Sequence, residues 1–485
     1  MADRVISLSS ARVRAALCWC AALACGASLT HRALHARDDS ARADGNGGHA
    51  EIDFGGQWLM GRLLVAGRGP DLYSRHAQWA ELRRAYPEPG DAERLMHWFM
   101  GADAPEWKQL GGAACAPLAV PSHPLVGFAR ARAAEAAVSP DLVARLNARA
   151  VGGPLYPPVH ALLYAPLGAL DPQPAYRAFQ VLSALCVFVA ALGVKALTGG
   201  RVWCSVAALL LFLYPGTRGA LDLGQNSVLT LAIVVWGWAL AARGRWGAGG
   251  AVWGLLAFKP VWGVALVLVP LLMRRWKFCA AMAGTGIALA ALALPFVGAH
   301  SWFDWLRNGR EASAVYTTDE NWIDLSRDLQ SLPRRALHDF AKPAAERDTA
   351  RAAGLARGLW LSVLVGTVAV YLWRGAPARP TGLSAGFAFL GGYLSCFHFM
   401  YYDALISAAA LFVLSAAREA RRSRFAWACV AVGFAFENAL NALRWEVAVA
   451  GVRFDTTVRF PWDTFALLAL WAWAAARLVR RGEGA

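Results

Sequence analysis

Long apolar runs separated by short arginine-rich loops dominate this 485-residue sequence. Crossing a bilayer takes roughly 20 mostly apolar residues. The first such run covers Ala15 to about Leu29, behind Arg4, Arg12 and Arg14. Basic flanks stay on the cytoplasmic side, which places the N-terminus inside. A polar stretch over 31–155 then reads as a first external loop, with surface helices expected around 54–66 and 136–149. The run PVHALLYAPLGALD, from Pro158, is too short to span and is bracketed by prolines. It is expected to lie on the outer face or dip into it.

Further spans are expected at about 175–197, 202–216, 225–240 and 278–298. Arg243 and Arg245 on one side, and Arg274, Arg275 and Lys277 on the other, bracket GAGGAVWGLLAFKPVWGVALVLVPLLM. Both clusters belong inside, so this segment makes an even number of passes. At 1.5 Å per residue each arm is only about 20 Å long. A hairpin of short helices follows, with Lys259-Pro260 at its apex. A second external loop over 299–353 leads to spans at about 354–373, 381–399, 403–417, 425–442 and 464–480. The fold class is an all-α polytopic membrane protein, one domain over 1–485, with about twelve passes and both termini cytoplasmic. Short helices are expected in both external loops. No internal repeat is visible, which weighs slightly against transporter folds built from duplicated halves.

Composition agrees with this reading. The chain is 57% apolar and 17% charged, against about 45–50% and about 25% in soluble domains. The net charge of +15 sits in short loops, without the basic stripe and interleaved aromatics of a nucleic-acid surface. A nucleic-acid partner is therefore set aside. The cysteines are scattered, mostly in apolar runs, where Cys acts as a small hydrophobe. They show neither zinc spacing nor a disulfide framework. The box ALAC ending at Cys25 is weak, and its segment reads as an uncleaved anchor.

Unusual polar residues collect on one side of this topology: Asp53, Tyr156, Asp222, Gln225, Asn226, Lys259, the 316–335 stretch, His398 and Asp403. Ionisable groups in or at the edge of a membrane are costly and usually functional. Each also has a plainer reading. Asp53, in EIDFGGQW, suits an N-cap for the helix that follows. Its neighbour Glu51 reads as solvated. Lys259 can snorkel to the interface, or its ammonium can hold a phosphate as a point charge. Gln225 and Asn226 can cap a helix, or bond a sugar or pyrophosphate. In HFMYYD, Tyr401 and Tyr402 suit an interfacial belt, while His398 and Asp403 suit a turn facing water. Alternatively His398 binds a phosphate or orients a base. Arg327, Arg334 and Arg335 stand on the outer side, where arginine is less expected. They belong either to a solvated loop helix or to a phosphate fork. No nucleotide loop, metal-ligand cluster or nucleophile elbow stands out, so neither a metal nor a cofactor is expected.

Six stretches in order carry a resemblance: DFGGQWLMGRLLVAGRGPDLY, YPPVHALLYAPLGAL, GQNSVLTLAIVVWGWALAARGR, AGGAVWGLLAFKP, LQSLPRR and FHFMYYDAL. In this the chain resembles the polyprenol-phosphate-sugar-dependent glycosyltransferases of family 87, mannosyltransferase-like enzymes with the GT-C fold. The resemblance implies transfer of a hexose, with mannose expected, from a polyprenyl-phosphate donor at the outer face of the inner (cytoplasmic) membrane. The acceptor would be a glycolipid or glycan. It implies that Asp53 is the general base and that His398 serves the donor phosphate or the base. Lys259 and the loop arginines are implied as donor-phosphate ligands. The stretch over about 74–153 is longer than the family core needs, and 329–333 lacks the asparagine usual before the glutamine. Two rival classes are a transporter or flippase, and a non-catalytic scaffold. A transporter explains the spans and the buried polar groups equally well, but not two substantial external loops with the acid and arginines gathered outside; a scaffold leaves Lys259 at a hairpin apex without a purpose.

Overall fold

The computed structural model describes residues 2–35, 53–86, 155–318, 320–340, 342, 346–373, 379–432 and 461–480. The expected helix at 136–149, most of the insert at 74–153, Glu51 and the far end of the 425–442 span lie outside them. Helices dominate the described residues, and the single β-bridge joins Ser326 to Met400. Five helices are long and apolar enough to cross a membrane: Ser10–His35, Pro172–Leu197, Trp276–Val297, Thr349–Trp373 and Trp462–Arg480. Shorter apolar helices of 10–17 residues pack among them, including Ser227–Ala242 and Leu383–Leu394. This is the architecture of a polytopic helical membrane protein, in which helices satisfy most of their backbone polar groups internally.

Several expected elements have different bounds. The expected 202–216 span is two helices, Cys204–Phe212 and Thr217–Asp222. Pro215 cannot continue the first, and Gly216 turns the chain at φ +88°. A Cβ on Gly216 would lie 2.7 Å from the Tyr402 carbonyl oxygen, so only glycine fits against that later turn. The hairpin breaks where the sequence placed its apex. Trp246–Gly254 runs into a 3-10 turn, Leu255–Phe258, which stops at Lys259, and Pro260 opens the next helix. A residue before proline is pushed out of the helical region, and Lys259 sits at φ −137°, ψ 68°.

The helix expected on the surface at 54–66 forms over Asp53–Val65 but is buried, with Phe54, Trp58, Leu59, Met60 and Leu63 in the core. It packs against Val159–Gly168, the proline-bracketed helix. A side chain on Gly61 would collide with the Tyr164 backbone, and one on Gly168 with the Gly61 backbone. Small residues let the two helices touch along their backbones. Their apolar residues face a second cluster that includes Tyr176, Phe179, Ala293 and Val297. The polar starts of both helices therefore meet the rest of the bundle.

Candidate active site

Asp53 is the first residue of its helix, and the helix start is docked through the backbone. The Phe54 amide donates to the Leu223 carbonyl at 3.0 Å. Gln57, one turn on, donates through Nε2 to the Gly224 carbonyl at 2.8 Å and to the Asp53 carbonyl at 3.1 Å. Gly224 takes φ +62°, and a Cβ there would lie 2.6 Å from Phe54 Cβ. The glycine is what lets Asp53 approach Gln225.

Gln225 hydrogen-bonds the Asp53 carboxylate. Its Oε1 accepts from the Tyr156 hydroxyl at 3.2 Å, which leaves its amide hydrogens for the carboxylate. Burial pushes the Asp53 pKa up from 3.8 to about 6, against the Gln225 hydrogen bond and the Lys259 charge, with the Asp403 charge adding to the rise. Asn226 stands at the N-cap position of Ser227–Ala242 but makes no side-chain cap bond. Its amide donates instead to Gln57 Oε1 at 3.0 Å, beside the Tyr164 hydroxyl at 2.6 Å.

Lys259 turns inward from the helix break and is 8% exposed. Its Nζ lies 2.7 Å from Asp403 Oδ1 and 5.7 Å from the centre of the Tyr402 ring. Asp403 lies on the 3-10 turn Tyr401–Ile406, and the Ser227 hydroxyl donates to the same carboxylate oxygen. Asp53, Gln225, Lys259, Asp403 and Tyr156 thus form one polar group drawn from five separate segments, with Gln225, Lys259 and Asp403 buried and Asp53 and Tyr156 half-buried at its edge.

His398 lies beside this group. Its Nδ1 is 3.0 Å from Asp328 Oδ2, and its ring stacks on Tyr316 at 4.1 Å between centres. Burial raises the Tyr316 hydroxyl pKa, and the Asp53 charge adds to the rise. Asp328 also accepts from the Ser331 amide at 2.9 Å, so the carboxylate is fixed from two sides. The second loop is knitted to this turn by Arg327 N to the Phe399 carbonyl and by Gln330 Nε2 to the Phe397 carbonyl.

The three loop arginines differ. Arg327 is buried, with Nε 3.1 Å from Asp463 Oδ1 and Nη1 near the carbonyls of residues 324–326. Arg335 donates to the Asp324 and Ser326 carbonyls, and burial pushes it down to about 10. Both guanidinium groups thus shape the loop. Arg334 reaches Gln330 Oε1 at 3.4 Å and is the least engaged of the three. Asp222 lies apart, paired with Arg32 and Arg218.

Four functional neighbours were not singled out from sequence: Gln57, His160, Ser227 and Asp328. Gln57 stands four residues after Asp53 on one helix, a spacing that puts both on one face. Tyr156, His160 and Tyr164 repeat the same interval, and their rings stack in sequence at 4.1 and 4.5 Å. Asp328 and Ser227 carry no such local signal, because their partners lie 70 and 176 residues away. Among the described residues no group of His, Cys, Asp and Glu is arranged to hold a metal ion.

The sequence model of glycosyltransferase family 87 matches residues 155–397. No curated protein and no solved structure matches the chain. The matched stretch contains Tyr156, Gln225, Asn226, Lys259 and the loop arginines. Asp53 and His398 lie outside it, and the fold carries both to its polar residues.

Proposed function

Because the chain belongs to glycosyltransferase family 87, it is a glycosyltransferase, and we propose that it moves a hexose, mannose by preference, from a polyprenyl-phosphate donor to a glycolipid or glycan acceptor. The reaction would take place at the outer face of the inner membrane. Family membership favours this reading over a transporter or a scaffold. The observation that carries it is the seating of Asp53: a half-buried carboxylate at a helix start docked on residues 223–224, beside Gln225, with its pKa pushed up to about 6. A general base works best with a pKa near the operating pH.

In the proposed mechanism Asp53 accepts the proton of an acceptor hydroxyl as that oxygen attacks the anomeric carbon. The carbon–oxygen bond to the polyprenyl phosphate breaks, and the phosphate leaves with the bonding pair. One displacement inverts the centre. Gln225 aims the carboxylate, and Tyr156 aims Gln225.

Lys259 offsets the charges of Asp53 and Asp403, two carboxylates against one ammonium. That balance disfavours a phosphate beside Lys259. The leaving phosphate is better met by His398 and Arg334, with Arg327 and Arg335 holding the loop that presents them. The apolar tail of the donor would lie among the membrane helices.

The test uses purified protein in lipid, a radiolabelled polyprenyl-phosphate mannose and a membrane glycolipid extract, with wild type and Asp53→Asn. Label reaching glycolipid only with wild type supports donor class and base together. Turnover by Asp53→Asn at the wild-type rate removes Asp53 from the mechanism.

A further inference from the structure

His160 sits inside the protein between two tyrosine rings, with 0% of its surface exposed. Its Nδ1 faces the Phe258 carbonyl oxygen at 3.4 Å. A carbonyl oxygen only accepts, so Nδ1 carries the ring proton. Burial opposes a second proton on the ring, and the Lys259 ammonium adds to that opposition. Nε2 is therefore a lone pair, buried and without a donor. The neighbouring hydroxyls are committed elsewhere, Tyr156 to Gln225 and Tyr164 to Gln57.

Asn226 poses the same problem. Gln57 turns its amide nitrogen to two backbone carbonyls, so its Oε1 is the atom that faces Asn226. Asn226 must then present Nδ2 to it, which leaves Asn226 Oδ1 buried without a donor. Asn226 is also 0% exposed. A buried polar atom left unpaired costs about 1–3 kcal/mol, and such atoms in a native protein call for a partner. Both orphans are acceptors. Phosphate and carboxylate oxygens cannot satisfy them, whereas hydroxyl groups can.

We propose that His160 Nε2, assisted by Asn226 Oδ1, accepts hydrogen bonds from sugar hydroxyls and so sets which sugar the site takes. The Tyr156 and Tyr164 rings hold the imidazole in register, and the Phe258 carbonyl fixes its tautomer. The assignment rests on the glycosyl-transfer reading and divides the site into two parts. Hydroxyls meet Asp53, His160 and Asn226, and the anion meets the His398 side.

The test uses the full-length protein in lipid nanodiscs, a polyprenyl-phosphate hexose with its monodeoxy forms, and an alkyl glycoside acceptor with its own. The variants are His160→Asn, which keeps a polar atom near the Nδ1 position and none at Nε2, and His160→Gln, which reaches the Nε2 position. Wild type is expected to lose about tenfold in kcat/KM on one monodeoxy compound. His160→Asn should accept that compound and its parent alike, and His160→Gln should recover part of the preference. A preference that vanishes among the donors marks the transferred sugar as the source of the hydroxyl; one that vanishes among the acceptors marks the acceptor. If either variant misfolds, His160→Phe keeps the ring stack and replaces it.

Transfer by wild type with the same discrimination in His160→Asn overturns the inference and leaves the proposed function standing; Nε2 then holds a structural water only. If wild type transfers no hexose, the proposed function falls. Equilibrium affinities for the same compounds, read by tryptophan fluorescence, then decide the inference. Equal affinity of wild type for parent and all monodeoxy forms overturns it. Weaker binding of one form by wild type, abolished in His160→Asn, upholds it.

Discussion

Lys259 Nζ lies 2.7 Å from Asp403 Oδ1, joining a helix break to a turn 144 residues later in the chain. Both side chains are nearly excluded from solvent, at 10% and 4% exposure. Removing one partner of such a pair leaves the other charge buried and costs about 3–5 kcal/mol, whereas replacing both with apolar residues is often neutral. Lys259→Met and Asp403→Leu should each lower thermal stability clearly, and the double variant should recover most of it. Differential scanning fluorimetry in detergent checks this, and additive losses in the double variant would refute the coupling.

Asp53→Asn should remove transfer, about a hundredfold or more if the carboxylate is the base, while the protein stays folded. It should also be the more stable protein at neutral pH. A carboxyl whose folded pKa lies above its unfolded value favours the folded state below about pH 4, and that advantage is lost as the pH climbs through about 6. Wild type above pH 6 therefore carries a half-buried charge that the amide lacks. The expected gain is on the order of 1–3 kcal/mol, read as a higher melting temperature at pH 7.5 that shrinks at pH 4.5.

The same group sets the pH profile of the reaction. The base must be ionised, so kcat/KM should fall as pH drops through about 6. A rate that stays level down to pH 4.5, measured in a stable proteoliposome, would assign the base elsewhere.

Asp328 should behave as a positioning residue for His398, since the two are 3.0 Å apart and the Ser331 amide holds the Asp328 carboxylate from the other side. Asp328→Asn keeps the shape but sets an amide where a carboxylate oxygen meets His398 Nδ1. The expected result is about a tenfold loss in kcat/KM with the melting temperature little changed, and Asp328→Glu should recover part of it. Loss of stability alone, with an unchanged kcat/KM, would make the pair structural.

Gly224→Ala tests the docking of the Asp53 helix. The backbone is left-handed there, and the added methyl would lie 2.6 Å from Phe54 Cβ. A destabilisation of about 1–3 kcal/mol is expected, with activity falling further because Asp53 loses its register on Gln225. Alanine tolerated in both measurements would mean the helix start can shift without consequence.

The apolar runs determined by themselves where most helices lie, because a bilayer demands length and hydropathy that any stretch of sequence displays locally. Lys259-Pro260 announced a helix break for the same reason: proline acts on its own neighbour. Asp53, Gln225, Lys259, His398 and Asp403 stood out as ionisable or amide groups amid apolar surroundings. What each of them touches was decided by the tertiary structure. Hydropathy gave no sign that the Asp53–Val65 helix is buried, since that depends on Gly61 and Gly168 meeting across about a hundred residues. It gave no sign that Arg327 and Arg335 serve the loop, or that Asp328 backs His398. Nor could it show that His160, an ordinary residue in an apolar run, is left with a lone pair. A hydrogen bond joins two atoms, and the sequence shows one of them at a time; which donors remain for a buried acceptor is settled once the whole bundle has closed around it.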